Sequence, residues 1–240
     1  MDSPNRAVVV LFRGDPRRDE RQKRLPRRFL STLHVAILKT ISEVAGVDVL
    51  IARDVGDDFR LGDRSWQLDS LGERIQAAIA YGFSHGYARV LLLAGDVVDL
   101  RRDDITHALD ALNVSGRRAA IGFSSDGGFY AAGFSQSPEV DWARVLHDRP
   151  NAGAALAEAL RVEGFVIEKL PPVDDVDTRA DAERLVRFRR VSRAFLRLIA
   201  KLTSILQRLV AIAELPQSRA SAALAFSSTF RGPPRSRRPR

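Results

Sequence analysis

Val90-Leu91-Leu92-Leu93-Ala94-Gly95-Asp96 is the stretch on which the reading of the fold turns. Its apolar residues run on without alternation, the pattern of a strand covered on both faces. An aspartate follows at the carboxyl end, behind small residues that leave room for a ligand. Ala7–Phe12 (AVVVLF) reads the same way, and Val47–Ala52, Ala119–Phe123 and Val166–Leu170 read as further strands. Helical spacing fills the intervals at about Phe29–Val44, Ser70–Phe83, Asp103–Leu112 and Asn151–Glu163. Ser70 followed three residues later by Glu73 is a capping-box start. Strands separated by helices predict an α/β fold with a doubly wound, mostly parallel sheet.

The composition is that of a globular chain: 240 residues, 45% hydrophobic, with no cysteine and therefore no disulfide or thiolate metal site. The net charge of +8 is unevenly placed. Residues 182–240 hold 14 Lys/Arg against 2 Asp/Glu, whereas residues 1–181 hold 24 against 28. The body is mildly acidic, so the pI of 10.6 argues for no specific nucleic-acid role. The run Ala7–Phe12 is broken by Arg13 and is too short for a signal peptide. No window has the roughly 18 apolar residues of a membrane span, and a cytoplasmic protein is expected.

Past residue 186 the pattern changes. Residues 1–186 form the expected α/β domain, 187–215 an amphipathic helix and 216–240 an Arg/Pro-rich tail of disordered composition. Phe195, Leu198, Ile199, Leu202, Ile205, Leu206, Leu209 and Val210 share one helical stripe, with Arg197, Lys201, Ser204 and Arg208 opposite. Such a helix packs on its own domain, pairs chains into a homodimer, or lies on an anionic membrane surface.

Three segments carry candidate chemistry. Asp96 sits where doubly wound sheets bind ligands, outside the carboxyl ends of the strands; a bare aspartate there can also cap the next helix, a task Asp103 is better placed to perform. Asp126-Gly127-Gly128, between two apolar runs, is first of all a turn. Its functional reading is a close backbone approach to substrate, with Asp126 and Tyr130 facing it. Asp174-Asp175-Val176-Asp177-Thr178, followed by Asp181, suits a hard cation such as Mg²⁺ or Mn²⁺, or else the N-terminus of a helix. His34, His85, His107 and His147 are scattered without ligand spacing and read as surface or packing residues.

In order and spacing these segments resemble a bacterial family of GT-A-type glycosyltransferase-like proteins, some of whose members are assigned to arsenosugar biosynthesis. The resemblance covers about residues 7–186. The family's Gln, then Gly-Asp-Leu-Gly-Glu-Arg, appears as Gln67-Leu68-Asp69-Ser70-Leu71-Gly72-Glu73-Arg74. Its Gly-Thr-Asp-x-Pro-Asp-Leu appears as Ala94-Gly95-Asp96-Val97-Val98-Asp99-Leu100, and its Asp-Gly-Gly-Tyr-Tyr as Asp126-Gly127-Gly128-Phe129-Tyr130. Its Asp-Val-Asp-Thr-x-x-Asp is intact at Asp175–Asp181.

The resemblance implies a nucleotide-diphospho-sugar transferase sheet and a metal-dependent transferase. Its ligand would be a nucleoside diphosphate sugar or a nucleoside triphosphate. Asp96 and Asp126 would be the catalytic carboxylates, and Asp96 and Asp177 would hold Mg²⁺ or Mn²⁺. Phe12, Arg13, Arg24, Gln67, Gly72, Arg74 and Gly95 would surround the nucleotide, and Gly127, Gly128 and Tyr130 would line the acceptor side. Two alternatives stay open, a nucleotidyltransferase of the same fold and a binding or scaffold member with weakened catalysis. The second is motivated by the segment Arg13–Leu25, where the family's turn glycine is Asp19 and its lysine is Gln22.

Overall fold

The computed structural model describes residues 6–14, 27–147 and 149–173. Arg24, Asp177 and the expected helix and tail after residue 186 lie outside the described residues. The described chain runs β1 (Ala7–Arg13), α1 (Arg27–Ser42), β2 (Val47–Val55), β3 (Asp58–Leu61), β4 (Arg64–Gln67), α2 (Leu71–Ser84), β5 (Arg89–Ala94) and α3 (Arg102–Leu112). It continues through β6 (Arg118–Phe123), β7 (Phe129–Phe134), α4 (Trp142–His147), a 3₁₀ turn (Arg149–Asn151), α5 (Ala152–Val162) and β8 (Val166–Leu170).

The strands form one sheet in the order β4-β3-β2-β1-β5-β7-β6-β8. β1 pairs in parallel with β2 on one side and β5 on the other, and β6 pairs in parallel with β8. β3 and β7 run antiparallel to both of their neighbours, so the other strands share one direction. The expected mostly parallel, doubly wound α/β sheet is what the chain forms. Val8–Leu11 and Val90–Leu93 are buried on both faces, which is why these runs carry no alternation. α2, α4 and α5 cover one face through Ile75, Ile79, Trp142, Val145, Leu156 and Leu160.

Each helix expected within the described residues forms within two residues of its reading. Ser70 caps α2 as expected: its Oγ accepts the Glu73 N–H at 3.2 Å, while Glu73 Oε2 accepts the Ser70 N–H at 2.8 Å. At α3 the cap departs from expectation. The helix starts one residue earlier, so Arg101 is the N-cap with no side-chain cap hydrogen bond, and Asp104, three residues on, accepts the Arg101 N–H at 2.9 Å.

β3, β4, β7 and α4 are additions to the sequence reading. Gly56-Asp57 and Gly62-Asp63 make two-residue hairpin turns joining β2 to β3 and β3 to β4, with glycine φ of 63° and 57°.

A candidate active-site cleft at the strand ends

The chain leaves β1 for β2 on one side and returns to β5 on the other, so loops diverge where these strands end. Crevices at such a switch in strand order are the ligand sites of open α/β sheets. Phe12 and Ala94 are the last pair between β1 and β5, and Gly95 and Asp96 follow β5 directly. A cleft of about 720 Å³ opens there. Asp96 and Phe12 line it, together with Ser70, Leu71 and Gly72 from the start of α2. Asp126, Gly128 and Tyr130 line it from the β6–β7 connection, and Trp142 and His147 from α4.

Asp96 and Asp126, 30 residues apart in sequence, therefore face one cavity. Asp96 begins a tight segment in which Val97 and Val98 are buried and Asp99 takes a left-handed φ of 60°. Asp126 is exposed, and its Oδ1 accepts the Gly128 N–H at 2.9 Å. The turn is held from behind: Ser124 N–H donates to Gly128 O at 3.1 Å and Gly153 N–H to Gly127 O at 3.0 Å. Asp-Gly-Gly is thus a hairpin turn, as its first reading had it, and it also borders the cleft. Tyr130 is buried beside it, with its hydroxyl donating to Pro171 O at 2.8 Å. Burial is the main cause that pushes its phenol pKa far up, so this hydroxyl stays protonated.

The remaining expected residues take varied places. Arg13 ends β1, and its buried Nε makes no hydrogen bond among the described residues. Gly72 lets α2 and α4 meet, since a Cβ there would lie 2.9 Å from Trp142 Cβ. At Gly95 an added Cβ would lie 2.3 Å from the Phe12 carbonyl oxygen and 2.8 Å from His34 Nε2, so protein fills that space. Gln67 is exposed at the end of β4 and does not line the cleft. Arg74 does not line it either. It donates to Asp54 Oδ2 at 2.9 Å and to Leu68 O at 3.1 Å, tying α2 to β2 instead of reaching for a phosphate. His147 is the lining residue that spacing left without a role, because only the fold brings α4 to the strand ends.

Among the described residues no three His, Asp or Glu side chains cluster as a metal site. Asp96 and Asp126 do supply two carboxylates to one cavity. That donor set fits a Mg²⁺- or Mn²⁺-type ion, which takes one or two carboxylates and completes its shell from phosphate oxygens and water.

Residues 51–149 match the model of a family described as "Uncharacterized protein conserved in bacteria (DUF2064)". Among solved structures the chain is similar to a protein from Desulfovibrio desulfuricans G20 assigned as a nucleotide-diphospho-sugar transferase. The two are 25% identical with a TM-score of 0.64, over 82% of this chain and 96% of that one. A more distant likeness is to CMP:2-keto-3-deoxy-manno-octonic acid synthetase in complex with CTP, 13% identical with a TM-score of 0.45, over 75% of this chain and 97% of that one. No curated protein matches the sequence. The resemblance read from the motifs and the fold it implied both hold.

Proposed function

We propose that this chain is a metal-dependent transferase acting on a nucleotide-activated sugar, and that it works in the cytoplasm. The observation that carries the reading is the meeting of Asp96 and Asp126 in one cleft at the switch in strand order. The likeness to the Desulfovibrio protein supports the substrate class. At about 720 Å³ the cleft is within the range of roughly 300–1,000 Å³ typical of small-molecule sites. A cysteine-free chain suits a reducing compartment.

Asp96 and Asp126 are the residues that would hold the ion, with Asp177 a further candidate from the sequence. When bound, the ion offsets negative charge growing on the leaving phosphate. The chain's own part is placement and exclusion of water. Leu71 and Gly72 present the first-turn N–H groups of α2, which have no intrahelical acceptor and suit phosphate oxygens. Arg13 supplies a cation at the end of β1 whose buried Nε makes no hydrogen bond among the described residues. Phe12, Ile75, Leu92 and Trp142 form an apolar wall that keeps water from the reacting bond.

A thermal-shift screen of nucleoside diphosphate sugars and nucleoside triphosphates, with and without Mn²⁺, tests the reading. A ligand at 100 times its Kd stabilises the fold by about 2.7 kcal/mol. Mn²⁺-dependent stabilisation by a diphosphate sugar is expected. Stabilisation by triphosphates alone would move the assignment to nucleotidyl transfer, and none by either class would end it.

A further inference from the structure

His147 ends α4 and faces the same cleft as Asp96 and Asp126. Its place is set from both sides. Upstream, Trp142 and Val145 are buried, and the Trp142 ring meets Phe134 edge-on at 6.4 Å. Downstream, a Cβ on Gly127 would lie 1.6 Å from Pro150 O, and Gly153 N–H donates to Gly127 O at 3.0 Å. Pro150 and Gly153, shortly after His147, are therefore packed on the turn that carries Asp126, and His147 and Asp126 line one cavity.

The two hydroxyls lining the cavity are already engaged. Ser70 Oγ is tied to Glu73, and the Tyr130 hydroxyl donates to Pro171 O. Asp126 Oδ1 accepts from Gly128 N–H. His147 is exposed and makes no hydrogen bond or ion pair among the described residues. Of the described side chains lining the cleft, it is the one imidazole, a side chain suited to general-base work.

We propose that His147 is the proton acceptor of the transfer, an inference that rests on the sugar-transfer reading of this cleft. The acceptor hydroxyl oxygen bonds to the anomeric carbon, and its proton passes to a ring nitrogen of His147. The bond from the anomeric carbon to the phosphate oxygen breaks, and its electron pair leaves with the nucleoside diphosphate. The exposed ring then returns the proton to water, so the step balances with no further reactant. The charged side chains that line the cleft with His147 are Asp126 from the turn and Asp96 from the β5 loop, and on its own element Arg144 lies one turn earlier, its N–H donating to Asp141 Oδ1 at 3.1 Å.

The test uses the full chain with Mn²⁺ and whichever nucleoside diphosphate sugar binds it, following sugar release to water across pH in wild type, His147→Gln and His107→Gln. His107 lies in a separate cleft, 3.0 Å from Glu168, and serves as the control. In wild type and His107→Gln the rate should rise with pH across the range where imidazoles lose their proton. In His147→Gln it should fall about 10²–10⁴-fold and lose that rise, with donor affinity unchanged. A wild-type rate and profile in His147→Gln would overturn the role, as would a loss of affinity matching the loss of rate, or a bound donor that wild type leaves intact at every pH. A chain that binds no nucleotide at all fails the transferase reading first, and the inference with it.

Discussion

At Gly127 the backbone has a φ of 90°, and an added Cβ would lie 1.6 Å from the Pro150 carbonyl oxygen. At Gly128, next along, the nearest atom to an added Cβ is Asp126 Oδ1 at 3.1 Å, the tip of a side chain. The two glycines of one motif thus answer to different demands. Gly127→Ala should destabilise the fold by on the order of 1–3 kcal/mol through backbone strain alone, with displacement of Pro150 added. Gly128→Val should leave the melting temperature close to wild type and impair transfer more than donor binding, since Gly128 borders the cleft. Equal losses of melting temperature in the two variants would show that both glycines are structural. Asp96 was legible because a carboxylate directly after a fully apolar strand marks a place in the sheet. Arg74 was not, because nothing local announces Asp54, a partner 20 residues away. His147 was hidden for the same reason: its meaning comes from α4 folding back over strand ends that lie far from it in sequence.

At the scale of elements, the start of α2 joins sequence, stability and site. The N–H of Ser70, then its hydroxyl, hold the Glu73 carboxyl pKa below the usual range. A depressed pKa in the folded state means stability present above the ordinary glutamate value, about 4.3, and lost as pH falls through the folded value. Wild type should therefore melt above Glu73→Gln near neutrality, and the gap should close as the solution is acidified. A gap independent of pH would show that the carboxylate charge does not act through the cap. β1 and β5 were readable because strands buried on both faces are apolar at every position. β3 and β4 were not, being four residues each, with two charged residues in the first and three charged or polar ones in the second. Their signal was the repeated Gly-Asp pair at 56–57 and 62–63, which sets hairpin turns whatever the flanking hydrophobicity.

Across the whole molecule, charge divides the chain. The acidic body carries the cleft, and the basic sequence from residue 182 onward, outside the described residues, has apolar residues at the spacing of a helical stripe with Arg and Lys between them. Among the described residues no helix is long and apolar enough to cross a membrane. We propose that the stripe serves packing on the domain, self-association or attachment to anionic lipid, and truncation after Val191 separates these roles. A fall in solubility or melting temperature assigns the first, a change from dimer to monomer in sedimentation the second, and lost vesicle binding the third. A truncated chain matching the full one in all three assays would rule them all out. The central claim, that Asp96 builds a metal-dependent nucleotide site at the carboxyl end of β5, is tested most directly by titration calorimetry of a nucleoside diphosphate sugar with Mn²⁺ into wild type and Asp96→Asn. The exchange removes a charge and keeps the shape, so Mn²⁺-dependent binding should vanish while the melting temperature holds. Unchanged affinity in Asp96→Asn would contradict the account.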